Sequence, residues 1–145
     1  MFKETGNNFE IFKNILNKTL EKLVFLIFIA HGIAHFVGFF IYWKIMPGTE
    51  DTPYKTKIFF SNIDIGTLGV SLLGFIYFLL ALTFIIFGCL LIINKLKFND
   101  NRVFILLILS LIMTLIDLMP TIIGLLVNIF YITIFLVNKK YEILE

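Results

Sequence analysis

This chain of 145 residues is 59% hydrophobic and only 15% charged, with a mean hydropathy of +0.98. Water-soluble domains run nearer half apolar and a quarter charged, so an ordinary soluble domain is excluded. The net charge of +2 supplies no basic patch large enough for nucleic acid, and a single cysteine, Cys89, excludes a disulfide framework or a Cys-pair metal site. The charged residues fall in short islands between long apolar runs, with no linker and no second composition, which points to one domain over 1–145.

Taken from the start, residues 1–22 are polar but patterned. Phe9, Phe12, Leu16, Leu20 and Leu23 recur at three and four residues, while Lys13, Asn17, Lys18 and Glu21 fall elsewhere. That spacing predicts an amphipathic interfacial helix. It is not read as a signal peptide, because the polar part is long and no small-x-small cleavage site follows. The helix is expected to lead into a first span at 23–43, about 20 residues and enough to cross a ~30 Å hydrocarbon core. Tyr42 and Trp43 close that span as an aromatic belt.

Residues 44–61, with Pro47-Gly48 and Pro53, read as a polar loop. Ser61-Asn62-Ile63-Asp64 has capping-box spacing and predicts a helix beginning there, with a span over about 63–93. Residues 94–102 form a polar turn. The last apolar stretch, 103–137, is too long for one span, and Asp117 and Pro120 divide it into a hairpin of helices over about 103–118 and 120–137. On this topology Lys3, Lys13, Lys18, Lys22, Lys95, Lys97, Arg102, Lys139 and Lys140 share one side, against Lys44, Lys55 and Lys57 on the other. The positive-inside rule then puts both termini in the cytoplasm. The expected fold is an all-α integral membrane four-helix bundle preceded by an amphipathic N-terminal helix.

Polar side chains inside apolar spans are costly and need a reason. His31 and His35, the only two histidines, stand one helical turn apart, and Gly38 and Tyr42 continue their stripe. Histidines at i and i+4 can share one metal ion, although the Glu of the zinc-protease motif is missing. The alternative is that both imidazoles only hydrogen-bond to neighbouring helices. Two histidines on one face cannot both grip one haem axially, so a haem would need another ligand. Asp117 either caps the fourth helix or meets a cation, completing a metal set of His31, His35 and Asp117. Asn128 must find a partner on another helix or on a ligand. Asp64 is a cap or a ligand; Ser71 lies near its stripe; Ser110 and Thr114 are expected to bond their own backbone. By depth these groups converge on the outer half of the bundle. The expectation is a pocket open outward, acidic at its mouth and imidazole-lined below.

The run HGIAHFVGF at 31–39 resembles small bacterial four-span proteins that carry H-G-x-x-H-x-x-G-F in the first span, often loosely labelled permease-like. Asp117, Gly124 and Asn128 fit the Asp, Gly and Asn of that group's last hairpin. The resemblance implies a multi-pass protein of the bacterial inner (plasma) membrane and importance for these residues; it supplies no substrate. No hydrolase triad, phosphate loop or redox Cys motif is present, so catalysis is the less favoured class. The leading expectation is an intramembrane His/Asp/Asn site formed by His31, His35, Asp117, Asn128, Asp64, Tyr42 and Ser71. It would bind or help to transport a cation, a metal ion (a divalent metal foremost) or a small solute. Alternatives are a haem- or iron-binding redox protein, and an accessory or immunity-type protein with no ligand. Four short helices enclose little volume, so a homo-oligomer or a larger membrane complex in the lipid bilayer is the expected assembly.

Overall fold

The computed structural model describes residues 3–45, 57–58, 63–116 and 122–141. They form four helices: α1 (Lys3–Tyr42), α2 (Gly66–Ile92), α3 (Asn101–Ile116) and α4 (Ile122–Tyr141). A minimal antiparallel pair, β1 (Lys57–Ile58) with β2 (Ile63–Asp64), sets Lys57 opposite Asp64 before α2. The α1 helix is continuous over 40 residues, a rod of about 60 Å, so the polar N-terminal stretch and the apolar run form one helix. Within it Glu21–Tyr42 is long and apolar enough to cross a membrane, as are Gly66–Ile92 and Ile122–Lys140. Only 28%, 33% and 22% of the residues in these three apolar windows are buried, so most of the apolar surface faces outward.

Helices α1 and α2 end alike. Ile45 N–H bonds to Phe40 C=O at 2.9 Å and Lys44 N–H to Ile41 C=O at 3.0 Å, with Lys44 at φ 57°. After α2, Lys95 N–H reaches Leu90 C=O at 2.9 Å and Asn94 N–H reaches Leu91 C=O at 3.1 Å, with Asn94 at φ 56°. Both are Schellman closures, in which one left-handed residue turns the chain and satisfies the last carbonyls. Asparagine tolerates that conformation well; a lysine there is less common.

The start of α2 differs from the capping-box expectation. Ile63 and Asp64 are extended in β2, the helix begins at Gly66, and the Asp64 carboxylate instead accepts Gly66 N–H at 2.9 Å. The glycine sits at φ 62°, which a side chain would strain. A local Asx-type bond has outcompeted an earlier helix start. The Ser61 half of the proposed box and the Asp117–Pro120 hairpin break lie outside the described residues.

Helix α3 starts at Asn101 because Asp100 caps it, its carboxylate accepting Arg102 N–H at 2.8 Å. Helix α4 runs through Lys139 and Lys140 instead of stopping near 137. Lys139 lays its ammonium over the Phe135 ring and donates to Asn101 at 3.3 Å, while Asn138 is buried. A polar composition thus hid a helical turn whose lysine sets its ammonium over an aromatic ring.

The core is aromatic. Phe98, in the turn between α2 and α3, is 1% exposed and contacts the rings of Phe25, Phe28, Tyr131 and Phe135. Helix α1 packs most extensively on α2, and α3 on α4. Close approach of α1 to α2 depends on Gly32, where an added Cβ would stand 2.6 Å from the Phe84 Cβ, and on Gly88 against Ile29. Small residues at such crossings let backbones meet without side chains between them.

Candidate functional site

Helices α1, α3 and α4 each deliver polar groups to one buried place. His31 and His35, a turn apart on α1, are 7% and 5% exposed, with rings 4.8 Å apart at 69°. Their Nε2 atoms both turn to the Ser110 hydroxyl of α3, at 3.2 Å from His31 and 2.9 Å from His35. A hydroxyl has one proton, so it donates to at most one of these rings and accepts from the other. At least one imidazole therefore carries its hydrogen on Nε2.

One turn further along α3, the Thr114 hydroxyl donates to Leu111 C=O at 2.8 Å and accepts from Asn128 Nδ2 of α4 at 3.4 Å. Asn128 is fully buried and its side chain also pairs with His31, although no donor meets its Oδ1 at short, well-aligned geometry.

Aromatic rings close the site. Phe84 of α2 stands 5.0 Å from His31 and 5.4 Å from His35, Tyr77 stands 5.7 Å from His35, and Tyr131 stands 6.4 Å from His31. The tyrosine hydroxyls tie the walls together: Tyr77 donates to Met113 C=O of α3 at 3.3 Å, and Tyr131 to Val24 C=O of α1 at 2.8 Å. The imidazoles are thus enclosed, whereas an open outward mouth was expected. The physical reason is the bulk of Phe84 and Tyr77 on α2 and of Tyr131 on α4.

The other expected residues stand elsewhere. Tyr42 is buried in a stack on Tyr77, with rings 5.6 Å apart at 15°. Ser71 does not share the depth of His35: its hydroxyl donates to Thr67 C=O at 3.0 Å, and its own carbonyl accepts from Trp43 Nε1 at 3.0 Å, at the end of α1. Asp64 is exposed and holds Gly66. Asp117 lies outside the described residues. Among the described residues no three His, Cys, Asp or Glu side chains gather around one point; of these residues, the cluster offers two imidazoles, neutral oxygens and rings. Ser110, expected to bond its own backbone, is the central atom of the cluster. It lies on one buried stripe of α3 with Val103, Leu106, Leu107, Met113 and Thr114, a helical spacing that marks a packed face without marking the serine as a partner of α1. Compared with known protein families, curated proteins and solved structures, the chain has no match in any of the three.

Proposed function

We propose that this chain is a multi-pass integral membrane protein whose helices enclose a binding site for a cation, metal ion or small polar solute, at His31, His35, Ser110, Thr114 and Asn128. The observation that carries the reading is the convergence of two buried imidazoles, through His31 Nε2 and His35 Nε2, on the single Ser110 hydroxyl inside apolar helices, with Asn128 against His31. A guest bearing an N–H, an O–H or a positive charge would meet the lone pairs that this cluster presents.

Three long apolar helices with outward apolar faces support insertion, because large side chains such as Leu68 (74% exposed) and Ile123 (79% exposed) are at ease only against lipid. Helix α3 has 16 residues, about 24 Å, and crosses with local thinning of the bilayer or with its flanking residues. The lysine asymmetry puts both termini in the cytoplasm, and the likeness of residues 31–39 to bacterial four-span proteins suits an inner membrane. A homo-oligomer or larger complex would supply the volume that transport needs.

The purified protein in detergent is expected to melt at a higher temperature with at least one member of a panel of ammonium, alkali, alkaline-earth and transition-metal ions and small amines. Asn128→Leu should abolish that rise. A second reading, an accessory protein with polar glue, draws on the fact that the bonds at Ser110 and Asn128 join different helices. If no panel member stabilises the wild type, and Ala at His31, His35 or Ser110 changes stability while the cellular phenotype stays intact, that second reading holds.

A further inference from the structure

We infer that the end of the bundle around Phe98 is a binding surface for anionic phospholipid, whose acidic headgroups it holds at the inner face of the membrane. This surface is distinct from the buried imidazoles, and the inference rests only on the reading above that the chain spans a bilayer.

The cations are scattered in the chain and gathered by the fold. Phe98, in the α2–α3 turn, is buried, and its ring lies 6.2 Å from Phe25 of α1 and 6.1 Å from Phe135 of α4. Lys97 is its chain neighbour, and Lys22 lies about one helical turn before Phe25. Lys139 sets its ammonium 5.9 Å from the centre of the Phe135 ring and reaches Asn101, beside Arg102 at the start of α3, at 3.3 Å. Three helices and a turn thus bring Lys22, Lys95, Lys97, Arg102, Lys139 and Lys140 around one hub, all of them exposed. Among the described side chains the acids at this end are Glu21, part-buried, and Asp100, whose two oxygens both meet Arg102. Positive charge dominates here. At the opposite end the described cations are Lys44 and Lys57, and Lys57 stands in register with Asp64.

The apolar border selects lipid over a free anion. Leu26, one turn from Lys22, is 55% exposed; Ile105, three residues after Arg102, is 57% exposed; Leu136, three before Lys139, is 54% exposed. An acidic headgroup with acyl chains matches both the charges and these side chains, whereas inorganic phosphate meets the charges alone. A zwitterionic headgroup carries its own ammonium and gains little. Each lysine or arginine near an anionic membrane surface strengthens attraction about fivefold.

The test is titration of the full-length protein in detergent with phosphatidylglycerol or phosphatidylcholine of identical acyl chains, with bound lipid counted by native mass spectrometry. Wild type should bind phosphatidylglycerol at least roughly tenfold more tightly, and high salt should shrink the preference. The triple variant Lys22→Gln, Lys97→Gln, Lys140→Gln should lose it, while the double variant Lys44→Gln, Lys57→Gln should keep it. Equal binding of the two lipids by wild type, which needs no variant to fold, overturns the inference. So does a preference that survives in the triple variant, or one that millimolar inorganic phosphate abolishes. Insertion is read separately: wild type in phosphatidylcholine vesicles should stay with the membrane through an alkaline carbonate wash. Release by that wash ends the spanning reading and this inference with it, whereas retention with equal lipid binding ends this inference alone.

Discussion

Asp100 caps α3 and pairs with Arg102 through one carboxylate. Its Oδ1 accepts the Arg102 backbone N–H at 2.8 Å and Arg102 Nε at 3.0 Å, and its Oδ2 meets an Arg102 Nη at 2.7 Å. The Arg102 side chain and then its backbone N–H hold the carboxyl at about 2, against an ordinary 3.8, and the pairing raises the guanidinium of Arg102 in turn. A folded-state value below the unfolded one means that stabilisation is present above the ordinary carboxylate range and is lost as pH falls through about 2. Asp100→Ala should lower stability by about 0.5–2 kcal/mol at neutral pH, the usual cost of an N-cap. Thermal unfolding in detergent should show the gap between wild type and variant shrinking from pH 4 to pH 2; a gap constant over that range would mean the carboxylate is not the cause. At this scale the two histidines of the site were legible, because ionisable groups inside apolar runs stand out. Ser110 was not singled out, since a serine in an apolar helix can bond its own preceding turn, and only contact with α1 shows that it does otherwise.

Between elements, the α1–α2 crossing is governed by space. At Gly32 a Cβ would meet the Phe84 Cβ at 2.6 Å and the Ala81 carbonyl oxygen at 3.1 Å. Neither atom is the end of a flexible side chain, so Gly32→Ala must push the helices apart. The expected loss is about 1–3 kcal/mol, the range for overpacking, with a shift of Phe84 away from His31 and His35. Gly66→Ala is the contrasting case, having no atom within 4 Å but a φ of 62°, so its cost is strain in the backbone alone. Denaturation of both variants in detergent checks this; Gly32→Ala matching wild-type stability would sink the crowding argument. Element existence was readable from hydrophobic run length, while boundaries moved where a local bond intervened. Asp64 bonding Gly66 N–H delayed α2, and Lys139 over Phe135 prolonged α4. Leu96 and Phe98 were hidden inside a turn that composition marks as polar, and both are buried.

For the whole molecule, topology is the property to test. The proposed topology, with both termini inside, requires the end of α1 at Lys44 to face out and the α2–α3 turn at Lys97 to face in. In a Cys89→Ala background, Lys44→Cys should react with a membrane-impermeant maleimide on intact cells. Lys97→Cys should react only after permeabilisation. Equal labelling of both before permeabilisation would overturn the four-span topology. Cys89 is itself exposed on α2, so its removal is expected to leave packing intact.

Sequence by itself determined that long apolar helices dominate this chain, because hydrophobicity and its 3.6-residue period are local properties that need no partner. It also singled out His31, His35 and Asn128 as groups in need of a reason, since a polar side chain in an apolar run is costly wherever the run is placed. Which groups meet was decided only by the tertiary structure. The convergence of two imidazoles on Ser110, the Thr114–Asn128 contact and the enclosing rings of Phe84, Tyr77 and Tyr131 depend on how four helices rotate and slide against one another. Those angles follow from the summed fit of many side chains, Gly32 and Gly88 among them, and not from any one segment read alone.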